Sequence, residues 1–82
     1  MRLDKYLKVS RLIKRRTVAN DACDGQHITV NGRTAKASYD VKVGDVIALH
    51  FGERVLAVEV LDVSETAGKS EASLLYREVS AQ

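Results

Sequence analysis

The chain has 82 residues, of which 45% are hydrophobic and 29% charged, and its net charge is +2. This length suits one domain with a modest core, and this composition is typical of a folded chain and excludes a disordered one. The single cysteine excludes a disulfide framework and a multi-cysteine zinc site, and no apolar run approaches the roughly 20 residues that span a bilayer. Because the amino terminus also lacks an apolar signal-peptide region, we expect a cytoplasmic protein that does not enter a membrane.

The charge is distributed unevenly along the chain. Residues 1–16 contain seven Lys or Arg against one Asp, a net +6, whereas residues 17–82 carry a net −4. Such a split within one small domain predicts a localised anion-binding surface. A solvated helix surface that is merely basic is the alternative.

Residues 3–9 predict a first short helix. Leu3 and Leu7 lie four positions apart and therefore share a helix face. Asp4 precedes Lys8 by four, which is the favourable order for an ion pair on a helix surface.

Residues 14–24 predict a second helix that ends at Gly25. Thr17 is a candidate for capping this helix or for contacting phosphate. The apolar residues follow the spacing of a buried stripe, which consists of Val18, Ala19, Ala22 and Cys23. We therefore expect the cysteine to be a small core residue and not a reactive thiol.

After Gly25 the hydrophobic period changes from helical to alternating, which predicts strands. Residues 27–30 and 33–36 flank Asn31-Gly32, a strong signal for a two-residue hairpin turn. A second hairpin joins residues 46–51 to residues 54–61 through Gly52-Glu53. Its apolar faces consist of Ile47, Leu49 and Phe51 on the first strand and Leu56, Val58 and Val60 on the second.

The carboxy-terminal part predicts a polar loop over 63–70 and a short helix over 70–79. Ser70 is a candidate cap, and Leu75 and Val79 lie four apart. The predicted class is thus α+β, with two short amino-terminal helices on a small antiparallel sheet and a short carboxy-terminal helix. Residues 1–62 form the predicted domain, and residues 63–82 the loop and terminal helix.

The basic residues point to phosphate as the ligand. Burying unpaired charge is costly, so we expect these side chains on the exposed side of the helices. Cations at the start of the second helix oppose its dipole but suit a phosphate, although helical rotation prevents three successive residues from facing one ligand. The candidate RNA-binding residues are Arg2, Lys5, Lys8, Arg11, Lys14, Arg15, Arg16, Thr17, Arg33 and Lys36. A solvated hairpin charge is the alternative for the last two basic residues.

Other classes of function have weaker support in the sequence. The few aromatic residues suggest no base-stacking platform, so shape readout of structured RNA fits better than single-strand binding, and DNA remains open. His27 and His50 lack metal-ligand spacing, and no Gly-rich phosphate loop occurs, so we expect no enzyme, metal or cofactor. A protein-interaction module using residues 70–79 is the alternative from another class.

Residues 2–12 and 14–19 resemble the αL RNA-binding motif, first described in small-subunit ribosomal protein S-four. Ile28-x-Val30-Asn31-Gly32-Arg33-x-x-Lys36 and Val43-Gly44-Asp45-x-Ile47 match the hairpin and the following strand of that domain. The resemblance covers residues 1–61, with its parts in the right order. The stretches 1–4 and 8–17 are especially similar to stand-alone αL proteins that act in bacterial ribosome-associated quality control.

The resemblance implies a function. Such a protein binds a large ribosomal subunit obstructed by peptidyl-tRNA and contacts ribosomal RNA and the P-site tRNA. A tail-elongating protein of the NFACT class (RqcH-like) then adds carboxy-terminal alanines without mRNA. We expect a monomer. The alternative is the heat-shock αL protein that rescues large subunits carrying peptidyl-tRNA; residues 70–76 resemble its tail, but its longer basic extension is absent here.

Overall fold

A computed structural model describes residues 1–63 and 75–79 of the chain. Two helices precede the strands, and both helices pack against each other. The elements are α1 (Leu3–Val9), α2 (Arg16–Asp24), β1 (Ile28–Val30), β2 (Arg33–Thr34), β3 (Val46–Phe51), β4 (Arg54–Val60) and β5 (Tyr76–Val79). In the part of the chain that the structure describes, neither helix has the length and hydropathy to cross a membrane.

The strands form one antiparallel sheet in the order β2-β1-β3-β4-β5. Asn31 and Gly32 have φ angles of 53° and 83°, as the predicted hairpin turn between β1 and β2 requires. The α+β class and the two helices on a small antiparallel sheet are therefore confirmed.

The predicted terminal helix is wrong over residues 76–79, which form β5. Val60 lies opposite Tyr76 and Ala57 opposite Val79, so β5 extends the sheet beyond β4. The unpaired backbone groups of the β4 edge offer these residues hydrogen bonds that a single isolated helical turn lacks. The predicted cap Ser70 and the rest of the proposed helix and polar loop, from 64 to 74, lie outside the described residues, and the boundary at residue 62 stays a prediction.

One core joins the helices to one face of the sheet. Its principal residues are Leu3, Tyr6 and Leu7 from α1, Ala19, Ala22 and Cys23 from α2, and Ile28, Val30, Ile47, Leu49, Val58 and Val60 from the strands. Two predicted core residues are exposed: Val18 at 48% and Phe51 at 49%. The residues that α2 buries in the core are the small Ala19, Ala22 and Cys23, and Val18 is not among them. Phe51 is the last residue of β3, next to the β3–β4 turn.

The second helix begins at Arg16, two residues later than predicted, and ends at Asp24 with Gly25 as its C-cap, as predicted. Gly25 has an ordinary φ of −79°, and the left-handed residue is Gln26, with φ of 62°. The His27 N–H donates to the Ala22 carbonyl at 2.9 Å and the Gln26 N–H to the Cys23 carbonyl at 3.1 Å, which is the Schellman pattern. A Cβ added at Gly25 would lie 2.9 Å from the exposed His27 ring, so a larger residue there would require this ring to shift.

Candidate RNA-binding surface

The buried carboxylate of Asp4 organises the basic residues at the start of both helices. The four-residue spacing predicts an ion pair between Asp4 and Lys8, but this pair does not form. The Asp4 side chain points inward instead and is 3% exposed. Arg2 Nε lies 3.2 Å from Oδ1, and Arg16 Nε lies 3.4 Å from Oδ2. Asn20 Nδ2 also donates to Oδ2, at 3.4 Å. A carboxylate from α1 thus holds two arginines that are far apart in sequence.

The ionised form of Asp4 is stabilised. Burial alone raises the pKa of this carboxyl group, but hydrogen bonds from Asn20, Arg16 and the Lys5 backbone N–H lower the pKa below its ordinary value. The side chains of Arg2 and Arg16 stay 53% and 46% exposed. Since a guanidinium has five N–H donors, each arginine keeps donors for a phosphate while Asp4 fixes its position.

The segment after β2 completes this surface from the other side. The Leu3 N–H donates to the Tyr39 carbonyl at 2.8 Å and the Asp4 N–H to the Ala37 carbonyl at 3.2 Å, which docks the segment on the start of α1. Arg2 and Lys36 consequently line one open concavity of about 550 Å³. Lys36 also lines a second concavity, with Arg33. We call the surface formed by Arg2, Arg16, Arg33 and Lys36 the arginine–lysine face.

A polar network centred on Asp45 holds the hairpin that carries Arg33. The Asp45 carboxylate accepts hydrogen bonds from Asn31 Nδ2 at 3.1 Å, the Tyr39 hydroxyl at 2.9 Å and the Lys42 backbone N–H at 3.0 Å. Burial raises the pKa of Asp45, but these three hydrogen bonds outweigh it and lower the pKa below its ordinary value. The Val43-Gly44-Asp45 motif therefore has a structural role that the sequence did not indicate.

The other predicted site residues of the amino-terminal segment differ in exposure. Lys8, Arg11, Lys14, Arg15 and Thr17 are exposed, and Lys5 is half-buried. Thr17 is not the cap of α2, because the N-cap position is Arg15, which makes no side-chain capping hydrogen bond. Arg11 adopts φ of 63° directly after α1. Of the predicted cations, Arg2 and Arg16 place their guanidinium groups against the Asp4 carboxylate.

In the part of the chain that the structure describes, neither histidine belongs to a group of metal-ligating side chains. The His50 ring lies within hydrogen-bond distance of the Thr29 hydroxyl, at 3.3 Å, on the sheet face opposite the core. Within residues 1–63 and 75–79, no three His, Cys, Asp or Glu side chains come together where they could hold a metal ion.

Comparison with known proteins places this geometry in a family. The S4 domain family model matches residues 1–47. A protein of Halalkalibacterium halodurans named RQC P-site tRNA stabilizing factor is 57% identical over 76 residues, which cover 93% of this chain and 86% of that protein. The protein of the same name from Bacillus subtilis is 51% identical and is covered to 88%.

Heat-shock relatives are similar but more distant. A heat shock protein 15 homolog of Aeromonas salmonicida is 37% identical, and the match covers 99% of this chain but 62% of that protein. The trimeric structure of Vibrio cholerae Heat Shock Protein 15 superposes with a TM-score of 0.87 at 35% identity, covering 96% of this chain and 81% of that one. The chain belongs to the S4 domain family and, within it, to the family of RQC P-site tRNA stabilizing factors.

Proposed function

We propose that this protein binds a large ribosomal subunit obstructed by peptidyl-tRNA and stabilises the tRNA in the P site. It contacts ribosomal RNA and tRNA through the arginine–lysine face and the neighbouring basic residues. In this state an RqcH-like protein of the NFACT class adds carboxy-terminal alanines without mRNA. The relatives that are 57% and 51% identical bear the name of this function.

The observation that carries the proposal is the pair of arginines held on buried Asp4. Nε of Arg2 and Nε of Arg16 lie 3.2 and 3.4 Å from its carboxylate oxygens. Fixed guanidinium groups lose less conformational entropy when they bind phosphates, and their fork suits bidentate contacts. Two phosphate-binding guanidinium groups at a fixed separation also favour an RNA of matching shape over RNA in general.

The test is binding of the full chain to large subunits that carry peptidyl-tRNA, measured against empty large subunits. Arg16→Ala should weaken binding by about 1–3 kcal/mol, since it removes charged hydrogen bonds. Arg54→Ala, an exposed arginine at the β3–β4 turn, removes the same charge away from this face and should bind almost normally. Equal losses in both variants would show that only total charge matters.

Salt dependence tests the same contacts independently. The slope of log affinity against log salt should be about −0.7 to −0.9 per phosphate neutralised. Arg16→Ala should reduce the magnitude of that slope by about the value for one phosphate contact, whereas Arg54→Ala should leave the slope unchanged. A flat response of the wild type would contradict the electrostatic account.

Rescue of large subunits, as in the heat-shock proteins, is the second candidate function, because the similarity to the Vibrio cholerae structure extends over nearly the whole chain. A reconstituted reaction with obstructed large subunits, alanyl-tRNA and an NFACT-class protein separates the two candidates. Our proposal requires that the protein increases the length or yield of alanine tails. Release of peptidyl-tRNA without tails would support rescue.

We further propose that the protein acts in the cytoplasm as a monomeric binding factor and not as an enzyme. Support comes from the open basic surface, which suits macromolecular contact better than it suits an enclosed reaction. Sedimentation of the pure protein at micromolar concentration should give the mass of one chain. Turnover of tRNA or ribosomal RNA by the pure protein would contradict the non-enzymatic role.

A further inference from the structure

We propose that the open concavity between the end of α2 and the segment after β2 binds one unpaired guanine nucleotide of the RNA target. This inference rests on the proposed RNA-binding function and adds a specificity site to it. The concavity has a volume of about 550 Å³, which is in the usual range for small-ligand sites. Its lining comes from three parts of the chain, namely the start of α1, the last turns of α2 with the following turn, and residues 34–38.

Two cations in the lining of the concavity suit a phosphate. Arg2 and Lys36 line it from different elements, and Asp4 holds the Arg2 guanidinium in place. Both side chains are exposed and so remain accessible to a nucleotide. A single phosphodiester contacted by both cations would position the attached ribose and base over the floor of the concavity.

The lining also contains an acidic group that phosphate binding does not explain. Asp24, the last residue of α2, lines the concavity and is exposed. Within residues 1–63 and 75–79 its carboxylate has neither an ion pair nor a side-chain hydrogen bond. A carboxylate repels phosphates and can only accept hydrogen bonds, so next to RNA it suits the N–H groups of a base edge. Guanine fits best, because N1–H and the N2 amino group lie side by side and match both carboxylate oxygens.

The backbone after α2 supports this reading. Gln26 also lines the concavity and has φ of 62°, at the position where a Schellman motif usually has glycine. Strained non-glycine residues concentrate at binding sites, where the side chain has a use that offsets the strain. The Gln26 amide can donate to guanine O6 beside the Asp24 contacts. Thr34 and Asn20 contribute further polar groups to the lining.

A matched pair of variants gives opposite predictions for charge and for base recognition. Asp24→Asn and Asp21→Asn remove the same charge from exposed positions of α2, but only Asp24 lines the concavity. If the face acts only through charge, both variants bind obstructed large subunits more tightly. Guanine recognition requires that Asp24→Asn weakens binding at least fivefold, whereas Asp21→Asn binds equally or more tightly. Neither change should unfold the protein, because a carboxylate near a helix carboxy terminus opposes the dipole.

Nucleotide titrations of the ¹⁵N-labelled full chain locate the site directly. Guanosine monophosphate should shift the amide signals of residues 24–26 and 34–38, and Asp24→Asn should abolish the shifts at 24–26. Inosine monophosphate lacks the N2 amino group and should bind several-fold more weakly, while uridine monophosphate and inorganic phosphate should shift only the signals near Arg2 and Lys36. Equal shifts with all four ligands, or stronger binding of an adenine or cytosine nucleotide, would overturn the guanine assignment.

The failure of this inference differs from the failure of the proposed function. If wild-type protein does not bind obstructed large subunits, the proposed function is wrong. If wild type binds and Asp24→Asn binds as tightly as Asp21→Asn, the ribosomal role stands and the guanine site is wrong.

Discussion

The Arg16 guanidinium is anchored on Asp4, its Nε atom 3.4 Å from the buried Oδ2 atom of a residue 12 positions earlier. This contact joins the first turn of α1 to the first turn of α2, so it fixes the separation of two basic helix starts. The same carboxylate holds Arg2. Asp4 is therefore a positioning residue for the arginine–lysine face, although its own charge is unfavourable for RNA.

Asp4→Asn should reduce both stability and RNA binding. The variant loses charged hydrogen bonds at a buried position, which we expect to lower the free energy of unfolding by about 1–3 kcal/mol. Binding to obstructed large subunits should also weaken, although the protein becomes more positive. Glu53→Gln, an exposed change of the same charge in the β3–β4 turn, serves as the control.

A double-mutant cycle distinguishes positioning from general destabilisation. If Asp4 acts through Arg16, Asp4→Asn should weaken binding less in an Arg16→Ala background than in the wild type. Affinities are compared under conditions in which every variant is folded by circular dichroism. Strictly additive losses would contradict the positioning role.

Arg11→Gly should separate stability from binding. Arg11 occupies the left-handed region after α1, with φ of 63°, where glycine is less strained. The variant should therefore unfold at higher urea, with a gain of up to about 1 kcal/mol, yet it should bind obstructed large subunits more weakly because a cation is lost. Arg11→Ala keeps the strain and loses the charge, so it should be no more stable than wild type while binding like Arg11→Gly.

Tyr6→Phe should loosen the attachment of the carboxy-terminal strand. The buried Tyr6 hydroxyl donates to the Leu75 carbonyl at 2.6 Å, and burial raises the pKa of this phenol, so the donor is retained. The Leu75 carbonyl also accepts from the Leu61 N–H at 2.8 Å, so the variant does not leave it unpaired. We expect a loss of about 0.5–1.5 kcal/mol and faster hydrogen exchange in residues 76–79.

The position of β5 also changes the meaning of a truncation. Deleting residues 70–82 would test a separate interaction tail only if those residues were dispensable for folding. Leu75 is buried in the core and β5 pairs with β4, so the deletion should destabilise the domain itself. Unchanged unfolding of the truncated chain would contradict the observed packing.

Stability should fall in acid partly through Asp45. Its folded-state pKa lies below the ordinary value of about 3.9. The contribution is thus fully present above that value and is lost as the pH falls through the folded pKa. Urea unfolding from neutral pH down to about pH 2.5 should show a shallower decline for Asp45→Asn than for wild type. Glu53→Gln should follow the wild-type curve.

The sequence by itself determined the elements whose signals are local. The spacing of Leu3 and Leu7 gave α1 with its observed bounds, the alternation over 46–51 gave β3, and Asn31-Gly32 gave the first turn. The difference in net charge between residues 1–16 and the remainder is also evident from the sequence alone. These features follow from periodicity, turn chemistry and composition, which act over a few residues.

Only the tertiary structure decided which groups meet. Asp4 has Lys8 four positions away, yet it pairs with Arg16, because packing of α1 on α2 turns the carboxylate inward. The four-residue spacing of Leu75 and Val79 suited a helix, but the open edge of β4 made those last residues a strand. Likewise, no sequence pattern indicated a role for Asp24 or Gln26. They line a concavity because residues 34–38 lie beside the end of α2 in the folded chain. Pairing partners depend on where distant segments of the chain dock, and a local sequence pattern does not determine this docking.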